Sequence, residues 1–282
     1  MDKTERLDEL ISSTVTIPTI PTTLAEIQRI VNDPDGSAAE AAEVIVKDPA
    51  IASKVLRLAN SSIYALRVPV SDIQHAVCIL GLKILKNLVV QATVLENFQG
   101  RGGEALSANW LWDHSLKTAR AARGLAGLVP KDPGIELEEA YSAGLLHDVG
   151  KVLLMEAEGD RYLRAVTLSR LKKIPLYKSE FDIFGFTHAD VGCHLADRWN
   201  MSAVLCAAIG QHHDEDLDIE TNPAAYLLQF ANSMAHNVAS GVLSYHTDAD
   251  IDEEILESFG LDDYDTFYAL LLDVKNSGLD SL

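Results

Sequence analysis

The sequence predicts an all-α fold, and three observations carry that expectation. Cap signals mark helix starts, apolar residues recur three and four apart, and alternating strand patterns are scarce. The 282 residues suffice for one large domain or two small ones, with 48% hydrophobic residues to bury. Taken in order, Met1-Asp2-Lys3-Thr4-Glu5-Arg6 leads into an amphipathic segment rather than a signal peptide's apolar core. Thr23-Leu24-Ala25-Glu26 and Ser71-Asp72-Ile73-Gln74 read as capping boxes, in which the hydroxyl and the side chain three residues on reciprocally satisfy orphan amides. Asp48-Pro49 places a cap residue before a proline at the first helical position, and Asn222-Pro223 repeats the device. Asn60-Ser61-Ser62-Ile63-Tyr64 is expected to end a helix and anchor a loop. Gly81 fits a helix end before an apolar segment resumes from Leu82 to Val90, and Pro130 to Gly134 reads as a loop. The glycines of Gln99-Gly100-Arg101-Gly102-Gly103 favour a flexible joint. Residues 1–98 are therefore expected to form a smaller N-terminal subdomain of five or six short helices, and residues 104–282 a larger helical bundle ending in a short acidic helical tail.

The charge balance limits the partners. Forty-two acidic residues against 23 basic give a net charge of −19, which repels polyanions and disfavours nucleic acid. Nine Asp or Glu and no Lys or Arg lie between Asp248 and Asp265, and five more lie from Asp214 to Glu220; both runs read as solvated surface. No stretch approaches the roughly 18 uninterrupted apolar residues of a membrane span, so a cytoplasmic location without membrane contact is expected. Cys78, Cys193 and Cys206 lack the spacing of a zinc clip and read as buried free thiols.

The most informative segment is Ala143-Gly144-Leu145-Leu146-His147-Asp148-Val149-Gly150-Lys151, where two metal-capable side chains interrupt an apolar run. A buried carboxylate stays ionised only beside a cation, a metal or several donors, and a buried imidazole likewise needs partners. Other histidines are patterned to meet them. His114 follows Leu111 by three and precedes Thr118 and Ala121 by four and seven, while His147 follows Ala143 by four and Gly144 by three. His188 opens a stripe with Val191, Leu195 and Trp199; His212 continues Leu205, Ala208 and Ile209, and His213 lies four after Ile209. Each alone reads as a hydrogen-bonded core histidine. Together they converge only if their helices pack around one point. Imidazole nitrogens with carboxylate oxygens suit iron, manganese, zinc or cobalt, and no thiolate biases the set toward zinc alone.

The order of these residues resembles the HD superfamily of metal-dependent phosphohydrolases. Pro18-Thr19-Ile20-Pro21, Asp48-Pro49-Ala50, Leu56-Arg57-Leu58-Ala59-Asn60-Ser61-Ser62 and Ala76-Val77-Cys78-Ile79-Leu80-Gly81 resemble the HDOD family, a bacterial signalling group related to it, from about Val15 to about Ser240. The resemblance implies an HD-like bundle preceded by a smaller helical subdomain. It implies His114, His147, Asp148, His188, His212 and His213 as ligands of one or two divalent transition-metal ions. If the site is active, Asp148 and Lys151 are its catalytic residues, Asp148 bridging two ions and Lys151 facing a phosphate; a solvent-exposed Lys151 is the alternative. The family's closing aspartate is expected where this chain has Asn232, a neutral and weaker ligand. HD-GYP phosphodiesterases carry Gly-Tyr-Pro after their histidine pair, whereas Asp214-Glu215-Asp216-Leu217-Asp218 follows here. The favoured expectation is a regulatory module with a metal site and little or no catalysis, acting on a signalling protein or a small phosphate-containing ligand. The alternatives are a working metal-dependent phosphohydrolase, and a scaffold whose histidines are core residues only.

Overall fold

A computed structural model describes residues 2–13, 22–60, 64, 66, 68–96, 107–129, 133–199, 201–239 and 264–277. Among them fifteen α-helices and no strand carry the regular structure. In α1 (Lys3–Ser13), Glu5 N–H donates to Asp2 Oδ1 at 2.8 Å and Asp2 N–H to Glu5 Oε2 at 3.0 Å, a reciprocal cap. The α2 helix (Thr22–Asn32) begins two residues before the start that a cap at Thr23 implies, so Thr23 lies inside its first turn; the residue before Thr22 lies outside the described residues. Ser37 and Glu40 form a capping box on α3 (Ala38–Ile45), and Asp48 caps α4 (Pro49–Ala59) by accepting from Ile51 N–H at 3.2 Å. Asn60 ends α4 and clamps Val70 in both directions, its Nδ2 donating to the carbonyl at 2.7 Å and its Oδ1 accepting from the amide at 2.6 Å. That is the expected loop anchor, although Ser61 to Ile63 lie outside the described residues.

Asp72, not Ser71, caps α5 (Ile73–Leu80): its carboxylate accepts from His75 N–H at 2.8 Å, and a carboxylate at the positive end of a helix displaces the neighbouring hydroxyl. Gly81, at φ 77°, ends α5 and turns the chain by 104° into α6 (Leu82–Glu96), a conformation that favours glycine. No single described helix is long and apolar enough to cross a membrane, and only the bent pair across Gly81 matches a span by length and composition. The expected joint from Gln99 to Gly103 lies outside the described residues; α6, before it, packs on α8 and α9, after it.

The remaining helices are α7 (Ala108–Leu128), α8 (Leu137–Leu146), α9 (Val149–Glu158), α10 (Asp160–Lys172), α11 (Leu176–Phe184), α12 (His188–Arg198), α13 (Ala203–Gln211), α14 (Pro223–Ala239) and α15 (Tyr264–Lys275). The long α7 packs against α8 and α14, and α12 packs against α9 and α13. Two glycines permit backbone-to-backbone approach between helices. A Cβ on Gly144 would lie 2.5 Å from the Ala119 Cα, and one on Gly150 would lie 2.0 Å from the His188 carbonyl oxygen, so α7 meets α8 and α9 meets α12 at backbone contact. The α1 helix reaches across to α9 and α12, with Lys3 paired to Asp190 at 2.7 Å and His194 Nε2 to Asp8 at 2.9 Å.

The helical tail does not stand free in solvent. In α15, Phe267, Leu270, Leu271 and Val274 are buried against α7 and α14, and Arg120 pairs with Asp273; the acids from 248 to 263 lie outside the described residues. The cysteines also differ from expectation, because only Cys206 is buried. Cys193 is half-buried and Cys78 is exposed: the inner face of α5 is taken by Ile73, Ala76, Val77 and Leu80, which leaves position 78 outward.

Candidate metal centre

Five helices deliver the polar residues to one buried point. His114 lies on α7, facing Leu111, Thr118 and Ala121 as its spacing predicts. His147 and Asp148 form the turn between α8 and α9, the former ending one helix and the latter opening the next. His188 is the first residue of α12, while His212 ends α13 and His213 follows it. His114, His147, Asp148, His188 and His212 are buried, and His213 is half-buried.

Hydrogen bonds fix which ring nitrogen carries the proton. Backbone carbonyls only accept, so His147 donates from Nδ1 to Gly144 O at 2.8 Å and His212 from Nδ1 to Ile209 O at 2.7 Å. His188 points Nδ1 at Glu180 Oε2, 2.6 Å away. The Nε2 lone pairs of these rings are left for the interior. There, His114 Nε2 lies 3.2 Å from His147 Nε2, and these nitrogens lie 3.6 and 3.4 Å from Asp148 Oδ2. On the other carboxylate oxygen, His188 Nε2 stands 3.3 Å from Asp148 Oδ1 and 3.1 Å from His213 Nε2. Two ligand-capable groups result, one of His114, His147 and Asp148 and one of His188, His212 and His213, each with its atoms within 4.8 Å of one another.

These distances suit a metal ion. Ligands about 2.1 Å from a common ion, at octahedral or tetrahedral angles, stand about 3.0–3.4 Å apart. The arrangement also leaves buried valences open: His212 Nε2, Asp148 Oδ1 and Asn232 Oδ1 have no hydrogen-bond partner.

The electrostatics favour ligand-competent forms of His114, His212, His213 and Asp148, whereas at His188 burial is outweighed by the Glu180 and Asp148 carboxylates, which raise the imidazole above its ordinary range. Burial pushes His114, His212 and His213 well below the usual imidazole range, with neighbouring histidines adding to it, so these rings are neutral at pH 7. Burial opposes ionisation of Asp148, but His147 and Lys151 outweigh it and hold the carboxyl well below its ordinary range. Lys151 is buried, with its Nζ 2.7 Å from Asp148 Oδ2, which overturns the solvent-exposed reading; one turn of α9 folds its stem back over the carboxylate.

Asn232 is buried on α14, and one turn further along His236 sets its ring against His114, centroids 4.3 Å apart. Trp110 stacks on His114 at 5.1 Å. Burial lowers the His236 imidazole to about 4, with Lys151 adding to the effect. The sequence reading missed Trp110, His236 and Glu180. Two signals could have found the last two: His236 lies four residues after Asn232 on the same helix face, and Tyr177, Glu180 and Phe184 form a buried stripe at helical spacing.

The family model of the HDOD domain matches residues 17–215, and the chain belongs to that family. It is similar to an HDOD domain protein of unknown function from Geobacter sulfurreducens, whose crystal structure superposes with a TM-score of 0.67 at 28% identity over 98% of this chain and 89% of that one. A Marinobacter aquaeolei protein described as a candidate signal transduction protein shares the fold, with a TM-score of 0.71 at 20% identity over 98% of this chain and 65% of that one. An uncharacterized protein of Treponema pallidum is 29% identical over 77% of this chain, which spans 41% of that longer relative.

Proposed function

We propose that this chain is a regulatory HDOD module whose buried centre binds one or two divalent transition-metal ions with little or no turnover. The observation that carries the reading is the convergence of imidazole Nε2 atoms on both oxygens of an ionised, buried Asp148. His114, His147 and Asp148 would hold one ion, and His188, His212 and His213 a second that shares Asp148. A bound divalent ion would supply a Lewis acid able to polarise a phosphoryl oxygen. Asn232 stands where a further carboxylate is expected, so the centre carries less negative charge than a full set would provide. Lys151 spends its charge on Asp148 rather than on an incoming phosphate. The ligand or partner is a signalling protein or a small phosphate-containing molecule. The likeness to the Marinobacter protein agrees with a signalling role. The second reading, a working phosphohydrolase, draws on the same His-Asp set.

One preparation separates the readings. The full chain, produced with iron, manganese and zinc supplied, should carry at least about one equivalent of transition metal by elemental analysis, and should turn over phosphate monoesters, diesters and cyclic dinucleotides feebly or not at all. Less than about a tenth of an equivalent rejects the metal centre in favour of a hydrogen-bonded core. Robust turnover that vanishes in His147→Ala rejects the regulatory reading instead.

Asn232→Asp probes the departure from the HD pattern. Asp and Asn are nearly isosteric, so the change adds charge without a packing penalty. The variant should bind metal more tightly and melt higher when loaded. A loaded variant that melts lower with unchanged metal affinity, as a buried carboxylate costing about 1–3 kcal/mol would, places the ligand position elsewhere on α14.

A further inference from the structure

We infer that Glu180 is a positioning residue for the metal centre, fixing the His188 ring so that its Nε2 faces His213 and Asp148. The inference rests on the metal-binding reading above and adds to it a charged group that no pattern of histidines reveals. Glu180 lies on α11, and the chain returns through Gly185, at φ 74°, and the Thr187 capping box to begin α12 at His188. Its Oε2 accepts twice from the same residue, from His188 N–H at 2.8 Å and from His188 Nδ1 at 2.6 Å. Backbone and ring are thus tied to one oxygen, which restricts the rotation that would carry Nε2 away. The other oxygen accepts from Tyr162 Oη at 2.9 Å, which sets the plane of the carboxylate. All three side chains are sealed from solvent, at 0% exposure for Glu180 and Tyr162 and 1% for His188.

The partner's charge distinguishes this ring from its neighbours. His147 and His212 are held by backbone carbonyls, whereas His188 is held by a carboxylate, which raises the donor strength of the opposite nitrogen. Glu180 should therefore govern affinity at the His188, His212 and His213 group and leave the His114, His147 and Asp148 group nearly untouched.

The test is a Co²⁺ titration of the full-length protein, followed by visible absorption and calorimetry, with His114→Ala as a background in which the three-histidine group is measured alone. Glu180→Gln keeps the accepting oxygen and removes the charge. It is expected to weaken Co²⁺ at the three-histidine group about 10–100-fold, with less than about a threefold change at the other group. Tyr162→Phe leaves the charge in place and should change affinity by less than about threefold. Equal losses in both variants, in step with equal falls in melting temperature, assign Glu180 a merely structural role and overturn the inference. Unchanged affinity in Glu180→Gln also overturns it and leaves the metal reading standing, whereas a wild-type protein that binds no Co²⁺ removes both. If Glu180→Gln does not fold, the ¹H–¹⁵N ring signals of His188 in the wild type decide: a proton on Nδ1 supports the inference, and one on Nε2 overturns it.

Discussion

Asp148→Ala is expected to empty both halves of the metal centre and to lower the melting temperature on the order of 10 °C. The carboxylate faces both groups, with Oδ2 toward His114 and His147 and Oδ1 toward His188, so its loss removes a ligand from each. It also strands Lys151, whose buried ammonium has Asp148 at 2.7 Å. Breaking a buried pair by deleting one partner costs about 3–5 kcal/mol, because the remaining charge is left without compensation. For a chain of this size each kcal/mol shifts melting by about 2–4 °C. Calorimetry of metal-free protein isolates the charge effect, and elemental analysis of loaded protein isolates the ligand effect. A variant that melts like wild type and keeps a full equivalent of metal would show that the carboxylate does neither job.

Gly150→Ala should damage the centre from outside it. The added Cβ would stand 2.0 Å from the His188 carbonyl oxygen and 3.0 Å from the Gly192 nitrogen, both backbone atoms with no rotamer to yield. The α9 and α12 helices must separate, and His188, the first residue of α12, moves with its helix. Overpacking of this kind costs about 1–3 kcal/mol, and more where only backbone can give way. Melting should therefore fall by several degrees, and Co²⁺ affinity at the three-histidine group should fall with it. Gly127→Ala is the matched control: its Cβ would meet only a Leu137 methyl at 3.7 Å, and the gain in helix propensity of up to about 1 kcal/mol should leave it at least as stable as wild type. If the two variants melt together within about 1 °C, the contact between α9 and α12 is not tight.

These variants also show what can be read from sequence. Helix class was legible at Asp48 and Gly81 because caps and breaks are local, decided by residues within one turn. The start of α5 slipped by one residue where two capping side chains stand side by side, at Ser71-Asp72, and α2 begins two residues before the start that a cap at Thr23 implies. Burial of His114 and His147 was legible because helical period alone turns them inward. Glu180 was legible only as an inward position on the Tyr177 and Phe184 stripe; its partner was not, because that is set by how α11 folds back onto the start of α12. The exposure of Cys78 was obscured by the unbroken apolar run from Ala76 to Leu80, within which only the stripe of Ile73, Ala76, Val77 and Leu80 marks the inner face.

His147, Asp148, His188 and His212 stand at helix ends, not in helix middles. A side chain at a terminus is placed by how far its helix has slid along its own axis, and each residue of slide is about 1.5 Å. Shear between packed helices is among the easier collective motions of a folded chain. A set of side chains placed this way depends on the axial register of α8, α9, α12 and α13 together, more than on the rotamer of any one of them.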